Sequence, residues 1–122
     1  DGKLFDSMDV MDICSIFGNA LDNAIECELK IKDYGKRMIH VDAFSERSFL
    51  IIRFENYYEG EIRFERGLPV TSKIEKSLHG YGLKSLRYTV HKYKGEVQID
   101  ARDNWFSLRI LIPLEVEKTS FE

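Results

Sequence analysis

The sequence predicts a two-layer α/β (α+β) sandwich in which helices cover one face of a mixed sheet. Two observations predict it. Two segments have apolar residues at helical spacing, and each of these segments is followed by a pair of strand-like segments. The resulting order of helix, two strands, long loop, helix and two strands is typical of such a sandwich. The chain has 122 residues, of which 43% are hydrophobic, so we assign residues 1–122 to a single domain.

The first helix is predicted over residues 8–29, with Ser7 or Asp9 as its cap. Its apolar stripe consists of Ile13, Ile16, Phe17, Ala20, Leu21 and Ala24. A polar line runs beside this stripe and consists of Asp12, Ser15, Asn19, Asn23 and Glu26. Spacings of three and four residues place side chains on one helix face, so we expect the polar line to adjoin the buried face.

Strands are predicted at residues 38–44 and 49–54, with a turn at 45–47 between them. The second strand is nearly all apolar, as expected of a central strand. A second helix is predicted at residues 83–93, and Gly95 is expected to end it. Alternating segments at 97–101 and 106–112, with a turn at 102–104, predict a closing hairpin.

Composition excludes several classes of protein. The net charge is -3 and there is no long basic run, which argues against nucleic acid as a partner. No apolar stretch approaches the ~20 residues that cross a bilayer, so we expect a cytoplasmic domain without direct membrane contact. Cys14 and Cys27 would lie ~20 Å apart along one helix, too far for a disulfide. We expect both to be reduced and in or near the core.

Residues 56–79 form a long irregular stretch, with a short hairpin expected near 62–64. Connections of this length inside a compact domain are typically lids or binding loops, and we place a lid at 57–79. Thr71, Ser72, Lys73 and Lys76 provide hydrogen-bond donors there. Such a lid is able to fold over a polyphosphate.

Two further features carry chemistry. Asn19 and Asn23 are four residues apart on an otherwise apolar helix, and their amides either bond to nearby backbone or point their oxygens into a cleft to hold a hard cation such as Mg²⁺. Gly80-Tyr81-Gly82 precedes a helix, where glycines and free N–H groups let an anion approach closely. A plain turn is the alternative interpretation of these glycines.

These features resemble a known family. GNALDNAIE, at 18–26, resembles the N-box of the GHKL ATPases, and HGYGLKSL, at 79–86, resembles their second glycine box. FSLRILIPL, at 106–114, resembles the last core strand of the histidine kinases in that group. The segments LDNAIE, TSK and HGYGLKS occur in the order seen in peptide-sensing kinases related to the accessory-gene-regulator sensor. The resemblance covers nearly the whole chain and implies the Bergerat ATP-binding fold.

The resemblance also implies roles for individual residues. Asn23 matches the asparagine that coordinates Mg²⁺ between the ATP phosphates, and Asn19 matches a glutamate that activates water in hydrolysing relatives. Lys73 is expected to pair with the γ-phosphate, which makes Asn19, Asn23 and Lys73 the catalytic candidates. Asn56 stands where most relatives have an aspartate that bonds the adenine amino group, and Glu26 where many kinases have a lysine. The remaining nucleotide contacts are expected from Thr71, Ser72, Gly80, Tyr81, Gly82, Leu83 and Lys84.

The implied function is to bind Mg-ATP and donate its γ-phosphoryl group to a histidine on the separate dimerisation and histidine-phosphotransfer domain of the same membrane-anchored kinase. A response regulator would act downstream. His40, His79 and His91 lack the setting of a phospho-acceptor, so the isolated domain is not expected to autophosphorylate. One alternative is a serine kinase of the anti-sigma-factor type, which Asn19 disfavours because such kinases carry glutamate there. Another is a non-catalytic nucleotide-binding or interaction module with a degenerate first glycine box.

Overall fold

The structure, a computed structural model, describes residues 5–66, 68–69 and 80–114. Its two longer helices are α1, Val10–Leu29, and α2, Gly80–Lys92. A short 3-10 helix, Tyr34–Lys36, precedes the first strand. The strands are β1 (Ile39–Glu46), β2 (Phe49–Tyr57), β3 (Phe64–Glu65), β4 (Leu68–Pro69), β5 (Glu96–Arg102) and β6 (Trp105–Pro113).

Four strands form one sheet in the order β1-β2-β6-β5, and every neighbouring pair is antiparallel. The sequence predicted a mixed sheet, whereas the described strands pair only antiparallel: hairpins join β1 to β2 and β5 to β6, and the central pair β2 and β6 also runs antiparallel. Each hairpin turns through two residues with positive φ, Arg47 and Ser48 in the first and Asp103 and Asn104 in the second. Two such residues in succession match the twist of antiparallel strands.

Both helices lie against the same face of the sheet, so the predicted two-layer sandwich is confirmed. Strand β2 alternates between buried and part-exposed residues, and its inward side chains pack against the inward side of α1. Asp9 caps α1 by accepting a hydrogen bond from the Met11 N–H at 2.8 Å, as one of the two predicted caps. The largest buried side chains of the core are Ile16, Leu50, Ile52, Phe54, Leu86, Val90, Leu108 and Ile110.

The boundaries of α2 differ from the prediction at both ends. It begins at Gly80 rather than at residue 83, and it includes the glycines, since packing beside α1 outweighs the low helix propensity of glycine. At the other end Lys94, and not Gly95, adopts the left-handed conformation with φ of 60°. Gly95 is required for a different reason: a Cβ there would lie 2.5 Å from the Leu111 carbonyl oxygen.

The two cysteines are free thiols, as predicted, but they lie in different surroundings. Cys27 is half-buried, whereas Cys14 is exposed on α1, so its predicted place in or near the core was wrong. The error arose because Cys14 lies next to Ile13 in sequence but a third of a helical turn away from the buried stripe. No helix among the described residues combines the length and apolar character needed to span a membrane.

The first part of the predicted lid is fastened to the domain at two points. Tyr58 donates its N–H to the Asn104 carbonyl at 2.8 Å, and the Asn104 side chain donates to the Tyr58 carbonyl at 3.0 Å. Further on, the Arg87 guanidinium of α2 donates to the Arg66 carbonyl at 3.3 Å. The short hairpin here is formed by β3 and β4, slightly later than predicted, because β3 pairs Phe64 with Pro69.

Candidate functional site

The two helices meet along the polar line of α1. Near the start of α1, Asp12 accepts hydrogen bonds from Tyr93 and Lys92, which lie at the end of α2. Farther along α1, Asn19 lies beside Gly82, at the start of α2. The helices are therefore antiparallel, and Asp12 and Asn19 of the predicted polar line face the neighbouring helix.

Asn19 is held in place on α1 and directed at the glycine turn. Its Nδ2 donates to the Ser15 hydroxyl at 3.3 Å, one helical turn earlier. Its Oδ1 faces the first turn of α2, where a Cβ added to Gly82 would lie 3.5 Å away, at ordinary van der Waals distance. The structure thus brings together the asparagine helix and the glycine turn, which are some 60 residues apart in the chain.

Asn23 lies one turn after Asn19 on the same side of α1 and is half-buried. Its side chain has no hydrogen-bond partner among the residues that the structure describes, so its amide does not bond to nearby backbone there. A primary amide with a free oxygen is able to accept one ligand contact, and oxygen ligands suit a hard cation. Of the two alternatives that the sequence left open, the bond to nearby backbone is not seen among the described residues, and cation binding by Asn23 stays a prediction.

The start of α2 offers backbone rather than side-chain chemistry. Gly80, Tyr81, Gly82 and Leu83 form its first turn among the described residues, and N–H groups in the first turn of a helix lack carbonyl partners within that helix. These groups, with the helix dipole, favour a negative charge. Leu83 turns its side chain into the core, whereas Lys84 is exposed. Only the backbone of Leu83 is therefore available to a ligand.

A second polar group lies in the core between α1 and β2. The Asn56 side chain is only 2% exposed, and its Nδ2 donates to Glu28 Oε2 and to the Tyr57 carbonyl, both at 3.2 Å. Glu28, at the end of α1, is 6% exposed and accepts the Met38 N–H at 2.6 Å through its other oxygen. Sequence reasoning named Asn56 and missed Glu28. The available signal was spacing, since Glu28 continues the buried series of Ala20 and Ala24 at intervals of four.

Cys27 lies beside this polar pair. Its Sγ donates to the Tyr57 carbonyl at 3.9 Å, a long contact even for sulfur. Burial, and secondarily the Glu28 carboxylate, raises the pKa of the Cys27 thiol above its ordinary value. The group therefore stays protonated and unreactive at neutral pH.

Asp12 of α1 meets Lys92 and Tyr93 at one end of the helix pair, which we call the closed end. Charge and hydrogen bonding reinforce each other there. The hydrogen bond from Tyr93, and then that from Lys92, lowers the pKa of Asp12 below its ordinary value of 3.8. The same carboxylate raises the pKa of the Tyr93 hydroxyl. The Tyr93 oxygen also accepts the Asp9 N–H at 2.9 Å. This cluster ties the start of α1 to the end of α2.

Comparison with known proteins decides the family. A family model described as the GHKL domain matches residues 8–113, which is most of the chain. The chain belongs to the GHKL domain family. No curated protein sequence matches it significantly.

Two solved structures of histidine kinases share this fold. The histidine kinase AdeS of Acinetobacter baumannii superposes with a TM-score of 0.61 at 16% identity over 87% of this chain. The nucleotide-free catalytic domain of the histidine kinase ThkA superposes with a TM-score of 0.64 at 19% identity over 86% of this chain. The chain spans 47% of the AdeS chain and 68% of the ThkA chain. At these identities the likeness establishes the fold alone, and the accessory-gene-regulator-like subgroup stays a prediction.

Membership of the GHKL family implies ATP binding, and the predicted ligands divide into two groups. Asn19 and Gly82 lie at the contact of α1 and α2, while Asn56 lies separately between α1 and β2. Asn23 lies one turn beyond Asn19 on α1. Thr71, Ser72 and Lys73, together with His79, lie outside the described residues. His40 is exposed on β1 at 3.8 Å from Asp42, and His91 is exposed in the last turn of α2.

Proposed function

We propose that this domain binds Mg-ATP and donates the γ-phosphoryl group to a histidine on a separate dimerisation and histidine-phosphotransfer domain. The single observation that carries the proposal is the position of the Asn19 amide against Gly82. It joins an oxygen-bearing helix face to the glycine-containing start of a helix, and the two together suit a metal-bound polyphosphate. Phosphoryl transfer depends mainly on such positioning and on charge neutralisation.

The residues present fit both parts of the nucleotide. Asn56 carries a buried amide whose Oδ1 has no hydrogen-bond partner among the described residues, which suits an amino group of a base. Asn23 would hold Mg²⁺ through its amide oxygen. The backbone N–H groups in the first turn of α2 would hold phosphate oxygens. When bound, Mg²⁺ would neutralise part of the negative charge of the phosphates. Lys73 within a lid at 57–79 remains part of the proposal as the cation at the γ-phosphate.

Asn19 supports transfer to a histidine rather than to water. An amide does not take a proton at neutral pH, so Asn19 is unsuited to act as a general base. Its Nδ2 is also engaged with Ser15. His40 and His91 both lie on elements of the nucleotide fold itself, so the acceptor histidine belongs to a partner domain, with a response regulator further downstream.

Replacing Asn23 by alanine tests the proposal. Because the amide oxygen is the proposed metal ligand, Asn23→Ala should weaken Mg-ATP binding about a hundredfold, ~2.8 kcal/mol. The measurement is isothermal titration calorimetry with a non-hydrolysable ATP analogue, in Mg²⁺ and again in EDTA. In EDTA the parent and the variant should bind alike, since the lost contact is to the metal.

The control is Asp22→Ala, which removes an exposed side chain at the adjacent position of α1. It should bind Mg-ATP like the parent. If Asn23→Ala also binds like the parent, Asn23 is not the metal ligand. If the parent itself binds no ATP, the domain is a non-catalytic interaction module.

A further inference from the structure

Glu28 is a buried carboxylate that takes no part in the proposed reaction. Each of its two oxygens accepts a hydrogen bond from a different donor. Oε1 accepts the Met38 N–H at 2.6 Å, and Oε2 accepts from Asn56 Nδ2 at 3.2 Å. Among the described residues no cationic side chain pairs with it. Burial of a carboxylate is costly unless its hydrogen bonds are satisfied, so the two donors account for its tolerance in the core.

These contacts fix the orientation of the Asn56 amide. An asparagine amide presents two donor hydrogens on nitrogen and acceptor lone pairs on oxygen, and the two ends have nearly the same shape. One end of the Asn56 amide faces the Glu28 carboxylate and the Tyr57 carbonyl. A carbonyl is an acceptor only, and so is an ionised carboxylate, so nitrogen must occupy that end. The oxygen is left at the other end.

We infer that Glu28 is a positioning residue that makes Asn56 read the nucleotide base as an acceptor only. This inference rests on the proposed function, because it requires the nucleotide to bind at Asn56. A fixed Oδ1 accepts from the 6-amino group of adenine and opposes the 6-oxo group of hypoxanthine or guanine. The base preference of the domain is therefore set by a carboxylate that does not touch the base.

The same pair explains why an asparagine occupies position 56 where an aspartate is usual in the resembling family. With Glu28 in place, an aspartate at position 56 would oppose the Glu28 carboxylate at 3.2 Å inside the core. Two buried like charges at this distance repel strongly. Glutamate at 28 and asparagine at 56 are therefore a matched pair, and they should be exchangeable only together.

The experiment compares binding of ATP and of inosine triphosphate, which carries a 6-oxo group in place of the 6-amino group. The parent should prefer ATP by about tenfold or more. Glu28→Gln has nearly the same shape, but its amide nitrogen must face a donor, either Met38 N–H or Asn56 Nδ2. The Asn56 amide then loses its charged acceptor and keeps only the Tyr57 carbonyl, so its hold on this orientation weakens and the preference for ATP should fall.

Asp22→Asn is the matched control, since it removes the same charge from an exposed position of the same helix. It should keep the parent's preference. The doubly exchanged variant, Glu28→Gln with Asn56→Asp, places an amide donor against a carboxylate and should regain a preference for ATP. A purely structural role of Glu28 would lower both affinities equally and leave their ratio unchanged.

The outcomes separate the inference from the proposed function. A folded Glu28→Gln variant with the parent's ratio of affinities overturns the inference and leaves ATP binding intact. A parent that binds neither nucleotide overturns the proposed function and the inference with it. If Glu28→Gln does not fold, the exchanged pair decides by its stability: a folded protein shows that residues 28 and 56 must match and supports the inference, and an unfolded one overturns it.

Discussion

The two ends of α2 contain glycines in opposite circumstances. At its start, Gly82 faces the Asn19 amide with room for an added Cβ at 3.5 Å. Just after its end, Gly95 has no such room, because a Cβ would lie 2.5 Å from the Leu111 carbonyl and 2.8 Å from Val90 Cγ1. One glycine is sterically replaceable within the protein and the other is not. The comparison teaches that packing explains Gly95, whereas Gly82 requires another explanation, for which the proposed phosphate site is a candidate.

The closed end also carries a complete set of backbone caps. Gly95 donates to the Val90 carbonyl at 3.0 Å and Lys94 to the His91 carbonyl at 2.9 Å, which is the Schellman arrangement. The Tyr93 cluster joins this end to the start of α1. At the other end of α2, the open end formed by its first turn, the backbone N–H groups are donors that suit a ligand. Stability and the proposed chemistry are thus concentrated at opposite ends of one helix pair.

The largest expected effect is that of Gly95→Ala. The added methyl group meets backbone that cannot move without disturbing β6, so the free energy of unfolding should fall by about 3 kcal/mol. Urea denaturation of parent and variant measures it. The same substitution at Gly82 is the comparison and should cause no loss. A change below about 0.5 kcal/mol for Gly95→Ala would show that the close approach to Leu111 relaxes freely.

A smaller effect is expected of Tyr93→Phe, which removes only a hydroxyl from the closed end. Loss of the Tyr93 hydrogen bonds should lower the free energy of unfolding by about 1 kcal/mol at neutral pH. Nucleotide affinity should not change, because the open end is untouched. Denaturation and calorimetry on the same variant check the two statements, and a loss of ATP affinity would show that the two ends are coupled.

This variant should also change the dependence of stability on pH. The folded-state pKa of Asp12 is lowered, so its stabilising contribution is present above its ordinary value of 3.8 and is lost as the pH falls through the lowered value. The Tyr93 hydrogen bond is the largest cause of that lowering. The difference in the free energy of unfolding between the parent and Tyr93→Phe should therefore be largest at neutral pH and should decrease below pH 3.8.

The contrast between the ends also marks what could be predicted from sequence. The stripe of α1 and the alternation in β6 are local patterns, and both were predicted because periodicity reports burial directly. The start of α2 and the reason for Gly95 were not, since both depend on residues distant in the chain, Asn19 and Leu111. Directions of strands in a sheet are likewise a property of pairing rather than of any one segment.

The same distinction applies to the candidate site. Asn19, Asn23 and the glycine turn were predicted as ligands because their residue types and spacing are unusual on a helix. Glu28 was not, since an acidic residue near a helix end is ordinarily exposed, and its burial depends on Asn56 and on the Met38 backbone. Spacing on α1 could have indicated that Glu28 is buried, but its partners could not be read from sequence.

Gly82→Ala has the smallest expected effect on stability and sharpens the comparison most. Its Cβ meets Asn19 at ordinary contact distance, and alanine favours helix, so the free energy of unfolding should rise by about 0.5–1 kcal/mol. The methyl group would nevertheless occupy the space beside the backbone proposed to hold phosphate, and ATP affinity should fall by about tenfold or more, ~1.4 kcal/mol. Gly18→Ala on α1 is the matched control, because a Cβ there meets nothing within 4 Å. It should gain similar stability with full affinity, and equal ATP binding by all three proteins would make Gly82 a helix residue without a role in anion binding.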